Sequence, residues 1–256
     1  DAAKISDTCY NMYYSEGLPA EHYENLKAFL EAGVKVKTVY LGVDDVTAFV
    51  DPTIHEDQLI RKPFRADEPE IQFLWDYLNP SIAVQSLETI RAYQEKEPAF
   101  QERLYSTGNY YLNTDLTEES LALEEWPNYF AWYGEGAIED IKKVKQLCEE
   151  NQIELIVFVN PEYEKRYAEA VENGYLTFLE ELSEITDYYC FCGYNEITQK
   201  MENFHDISHY RQSVGDGMIQ VMGKTAGAQP EELPGFGTYV TKENRQQVLQ
   251  VLGEKH

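Results

Sequence analysis

Ile153-Glu154-Leu155-Ile156-Val157-Phe158-Val159-Asn160-Pro161 decides how this chain folds. It is the strongest strand signal in the sequence: β-branched, aliphatic and aromatic residues run together and stop at a proline. Helical spacing flanks it on both sides. Residues 137–151 set Ile138, Ile141, Val144, Lys145 and Cys148 on one inner face. Residues 163–186 read as helix with a break at Gly174, and 188–191 as a last short strand.

Earlier in the chain the same alternation is visible. Lys37-Thr38-Val39-Tyr40-Leu41-Gly42-Val43 is near-continuously apolar after Lys37, as in a buried parallel strand. A helix precedes it over about 20–32, with Tyr23, Leu26, Phe29 and Leu30 at helical spacing and Gly33 at its end. Before that, residues 8–15 are rich in aromatic and β-forming types and are expected to form a strand, broken by Ser15-Glu16-Gly17-Leu18-Pro19. Strands alternating with helices predict an α/β domain with a mostly parallel sheet covered on both faces.

The rhythm is lost over 51–125. Helical spacing returns at 70–95 through Ile71, Leu74, Leu78, Ile82, Val84, Leu87 and Ile90, and a Tyr-rich polar stretch follows. This segment is expected to be a helical insertion, either a cap over the sheet's carboxyl edge or a plain structural excursion. The α/β domain is expected to span 1–223. A tail over 224–256 holds a loop at 230–237 and a short amphipathic helix at 241–252.

With 256 residues of which 43% are hydrophobic, a packed core is expected and disorder is not. The net charge of −25 argues against nucleic acid and anionic lipid as direct partners, because phosphate recognition needs clustered Lys and Arg. No run of 18 apolar residues predicts a membrane span. The chain begins at Asp1 without Met and reads as a piece from which a targeting or anchoring segment has been removed. Cys9, Cys148, Cys190 and Cys192 are expected to be free thiols; Cys190 and Cys192 share a strand face with poor geometry for a disulfide.

In sheets of this kind functional groups gather beyond the strands' carboxyl ends. Those ends are Ser15-Glu16-Gly17, Gly42-Val43-Asp44-Asp45, Asn160-Pro161-Glu162 and the segment after Phe191. That last segment contains Asn203-Phe204-His205-Asp206-Ile207-Ser208-His209-Tyr210-Arg211, the densest cluster of titratable groups in the chain. Asp206 and His209, three residues apart, share a side of a turn. A carboxylate beside an imidazole fixes its tautomer and stabilises the imidazolium. The bland alternative makes Asp206 the N-cap of a helix running through Tyr210 and Met218. A metal site from His205, Asp206 and His209 is disfavoured, because neighbours on regular structure point apart; no metal and no cofactor are expected.

The order of these features resembles the SGNH (GDSL-like) hydrolase superfamily, and within it the membrane-anchored SGNH-like proteins of Firmicutes and related bacteria. The Asp-x-x-His block of that family matches Asp206 and His209, and Val214-Gly215-Asp216 continues the likeness. Gly17 matches by position the glycine whose backbone N–H meets the oxyanion, and Gly42-Val43-Asp44-Asp45 stands where the family has Gly-x-Asn-Asp. Asp44 in place of Asn removes an amide donor. The resemblance implies a flavodoxin-like three-layer αβα fold, with His209 as general base, Asp206 orienting it, and Gly17, Gly42 and Asp44 around the oxyanion or substrate. The family's Gly-x-Ser nucleophile block has no match; the expectation places it on a strand ahead of Asp1, which would leave this piece inactive alone. Ser15 and Ser208 are the internal candidates and read better as turn or cap hydroxyls. The activity implied is ester hydrolysis or O-acyl transfer on small-molecule or glycan acyl esters at the cell envelope, with membrane attachment only through an N-terminal anchor. A non-catalytic glycan-binding or scaffold protein on the same fold is the alternative.

Overall fold

A computed structural model of the chain describes residues 5–6, 8–12, 17–52, 68–76, 78, 80–94, 115–123, 133–223 and 236–254. The fold is α/β, built on a sheet of four strands among the described residues. In chain order the first elements are α1 (Pro19–Glu31), β1 (Thr38–Val43), α2 (Asp45–Phe49), α3 (Glu70–Asp76), α4 (Pro80–Gln94), α5 (Glu118–Leu123) and α6 (Gly134–Glu150). Then follow β2 (Glu154–Val159), α7 (Glu164–Glu172), α8 (Tyr175–Ile185), β3 (Tyr188–Cys190), α9 (Gln212–Val221), β4 (Thr238–Val240) and α10 (Arg245–Gly253).

The strands lie in the order β1-β2-β3-β4. β1 and β2 pair in parallel with Val43 opposite Val159, and β2 and β3 pair in parallel with Val159 opposite Cys190. β4 joins β3 antiparallel. The segment read as a tail therefore contributes a strand to the sheet, and Val240 is fully buried.

Alternate side chains of β2 enter two different cores. Val157 and Val159 pack with Leu41, Val43, Ile138, Ile141, Val144, Phe178 and Leu182 on one face. Ile156 packs on the other with Phe191, Val214, Met218 and Met222, the buried stripe of α9. This burial of both faces is why β2 reads as an unbroken apolar run. α6 buries Ile138, Ile141, Val144 and Cys148 as its spacing predicts; Lys145 sits at the edge of that face, paired with Glu149.

The expectation of a first strand changes. Residues 8–12 of the expected first strand are not in a strand; Cys9 N–H closes a turn onto the Ser6 carbonyl at 3.0 Å. Among the described residues β1 has a strand neighbour only on its β2 side, and β-forming composition without a partner makes no ladder. Residues 13–15, Ser15 included, lie outside the described residues, as do most of the Tyr-rich stretch and residues 230–235. The insertion is described in part. Its helices α3 and α4 form where the spacing predicts, yet Ile71, Leu74, Trp75, Leu78, Val84, Leu87 and Ile90 are more than half exposed. Among the described residues its end turns inward: Leu116 and Leu121 are buried against Tyr163, Phe204 and Ile207.

Gly237 ties β4 to α9. Its φ is +84°, and a Cβ there would lie 2.4 Å from Val221 Cγ1 and 2.8 Å from Phe191 Cε1. Gly237→Ala is expected to destabilise the protein by about 2–4 kcal/mol through left-handed strain and overpacking. Urea unfolding checks this, and an unchanged midpoint would mean that β4 is not seated against α9.

Candidate functional site

The Asp206–His209 segment is held by what it buries. Phe204 is fully buried and meets the Tyr163 ring edge-on at 5.9 Å; Ile207 is also buried. The residues between and after them, Asp206 and His209, face outward, with side chains 32% and 44% exposed. A small hairpin sets the frame. Phe204 bridges Tyr210, His205 N–H donates to the His209 carbonyl at 2.8 Å, and Arg211 N–H donates to the Asn203 carbonyl at 2.8 Å. Arg211 also pairs with Asp115, which anchors the end of the insertion on the segment.

Within that frame Asp206 does two things. Its Oδ1 accepts the backbone N–H of Ser208 and of His209, each at 2.8 Å, which closes the turn. Its Oδ2 meets His209 Nδ1 at 2.8 Å, with Oδ1 at 3.0 Å. Burial alone pushes the Asp206 carboxyl up. The His209 hydrogen bond and charge and the two backbone N–H groups outweigh it, so the carboxyl stays below its ordinary range and ionised. The bland reading is corrected here: α9 starts at Gln212 behind Arg211, so Asp206 caps a turn and not that helix.

The segment reaches the sheet through the end of β2. Tyr163 N–H donates to the Ile207 carbonyl at 3.0 Å, and the Tyr210 hydroxyl donates to Asn160 Oδ1 at 3.3 Å. Asn160 N–H in turn donates to the Val43 carbonyl at 2.8 Å, at the end of β1. Gly42 completes the junction: a Cβ there would lie 3.0 Å from the Phe158 ring and 3.3 Å from Asn160 Nδ2. The His209 loop, Asn160 and the Gly42 end of β1 are thus brought together. Gly17 stands just before Leu18, the N-cap residue of α1, whose N–H donates to Glu21 Oε2 at 3.1 Å. No hydrogen bond among the described residues links Gly17 to Asp206 or His209.

Asp44 is occupied elsewhere. Its Oδ1 accepts from the N–H and hydroxyl of Thr47, each at 3.1 Å, capping α2. Next to it lies a buried set of charges that sequence reasoning missed. Asp45 pairs with Arg166, both nearly inaccessible, and Asp45 N–H donates to Glu162 Oε1 at 3.0 Å. Three carboxyls, those of Asp44, Asp45 and Glu162, share one guanidinium. Burial first, then the Asp45 charge, push Glu162 well above the usual carboxylate range. The same two causes lift Asp44 to about 6, against the pull of the Thr47 hydrogen bonds and Arg166. The sequence clue was the four-residue step from Glu162 to Arg166 directly after a strand.

Among the described residues no three His, Cys, Asp or Glu side chains form a cation-binding group. The four cysteines are free thiols, with Cys190 and Cys192 sulfurs 3.4 Å apart. Compared with protein-family models, with curated proteins and with solved structures, the chain gives no match.

Asp44 has a folded pKa above its unfolded one, so its proton favours the fold. The stability it contributes is full below pH 4 and is lost as pH rises to about 6. Asn keeps the cap without the charge. Asp44→Asn is therefore expected to gain up to about 3 kcal/mol over the unaltered protein at pH 7.5, and little at pH 4. Thermal unfolding across that range checks it; parallel curves for the two proteins would contradict the cause assigned.

Proposed function

We propose that this chain belongs to an SGNH-type serine esterase or O-acyltransferase that acts on acyl esters, those of cell-envelope glycans foremost. The observation that carries the reading is the Asp206–His209 pair, hydrogen-bonded at 2.8 Å and held against the carboxyl ends of β1 and β2. With Nδ1 engaged by Asp206, Nε2 is the atom that exchanges a proton with a nucleophile. The reading seats a flavodoxin-like sheet's nucleophile strand along the outer edge of β1, on a segment ahead of Asp1. The hydroxyl there attacks the ester carbonyl and passes its proton to His209 Nε2. The leaving alcohol then takes that proton, and water or a sugar hydroxyl repeats the sequence to release the acyl group. An extracytoplasmic, envelope-associated location goes with this substrate class.

A second reading, a non-catalytic glycan-binding or scaffold protein, is favoured by one observation: the Asp44 carboxylate is spent on the α2 cap, where a catalytic relative would carry an amide donor.

Hydrolysis of p-nitrophenyl acetate by the full-length protein separates the two. The proposed enzyme is expected to lose about 1,000-fold or more in kcat on His209→Ala, by the non-additive logic of nucleophile–base pairs. Equal rates with and without the imidazole would leave the scaffold reading standing.

A further inference from the structure

The acyl-transfer reading leaves the oxyanion short of a side-chain donor, because Asp44 accepts hydrogen bonds and caps α2. We infer that the amide of Asn160 is that donor, held in place by Tyr210 and given room by Gly42. This rests on the acyl-transfer reading and deepens it by naming a further catalytic residue on a different strand.

Asn160 follows the last residue of β2, at the edge where β1 and the His209 loop meet. Its two amide atoms are treated differently. Oδ1 accepts the Tyr210 hydroxyl at 3.3 Å, which fixes the orientation of the group. Nδ2 has no hydrogen-bond partner among the described residues, and the side chain is half-buried, so its N–H groups remain for a ligand. Nδ2 lies over the α-carbon of Gly42, 3.3 Å from where a Cβ would stand. Any larger residue at 42 would crowd that amide and the Phe158 ring beside it. The glycine resembling the family's third block thus provides space for a neighbour's donor.

Tyr210 is the residue directly after His209, so one short loop sets both the base and the donor. Its ring lies against α9 where Gly215 permits it, 3.3 Å from where a Cβ on Gly215 would be. That gives Gly215, in Val214-Gly215-Asp216, a physical role in placing Tyr210. In the reaction, the nucleophile's oxygen forms a bond to the carbonyl carbon as its proton moves to His209 Nε2. The carbonyl π pair moves onto oxygen, and an Asn160 Nδ2 N–H donates to that oxyanion until collapse expels the alcohol.

The test uses the full-length protein and p-nitrophenyl acetate, with Asn160→Ala, Asn160→Asp, Tyr210→Phe and His209→Ala. Asn160→Asp keeps the shape and the acceptor for Tyr210 but loses the amide donor. Both Asn160 variants are expected to lower kcat about 100- to 1,000-fold with KM nearly unchanged, as when an oxyanion donor is removed. Tyr210→Phe, acting only through position, is expected to lower kcat by about 3- to 10-fold, the size of one neutral hydrogen bond. Thermal midpoints show that the variants fold. If both Asn160 variants keep kcat within about threefold while His209→Ala loses activity, the donor role is overturned and the esterase reading stands. If the unaltered protein turns over no ester, or His209→Ala is equally active, the esterase reading falls and the donor role with it.

Discussion

The parallel pairing of β1 with β2, Val43 opposite Val159, is the constraint on which the site depends. It ends both strands at one edge, so Asn160 N–H reaches the Val43 carbonyl and Gly42 faces the Asn160 amide. The pairing is secured by burial on both sides of β2, with Val157 and Val159 in one core and Ile156 in the other. A slip of one residue would exchange those faces and dismantle both cores. The His209 loop adds a third, smaller cluster to these two. It rests on the finished edge through Phe204 and Ile207, against Tyr163 and the end of the insertion.

Just beneath the edge the protein carries an excess of negative charge. Asp45 and Arg166 form a buried pair, and Glu162 joins it through a backbone N–H while its own carboxyl is pushed toward the neutral form. Such a pair is costly to break and adds little against an apolar substitute; its effect here is to lock the turn after β1 to the start of α7. That lock sits beside Asp44, which caps α2 through Thr47.

The parts legible in the sequence are those that burial dictates. Ile153 to Val159 could be read because both faces are covered, and α6 because one stripe is. β4 was not, since Thr238 and Tyr239 remain exposed and only Val240 enters the core. Residues 8–12 were misread because a strand is defined by its neighbour, and aromatic composition does not provide one. Asp206 and His209 could be paired because three-residue spacing is local. Asn160 could not be assigned a role, since its orientation is set by a hydroxyl fifty residues later in the chain. The Arg166–Asp45 pairing could not be read for the same reason, since Asp45 lies on the other side of the insertion and only the step from Glu162 to Arg166 is local.

The central claim is that His209, oriented by Asp206, serves a nucleophilic serine at the shared edge of β1 and β2. Labelling of the full-length protein with a fluorophosphonate, followed by peptide mass spectrometry, tests it most directly. The account predicts a single adduct on a serine ahead of Asp1, lost or greatly slowed in His209→Ala. An adduct that forms equally fast without the imidazole, or no serine adduct at all, would contradict it.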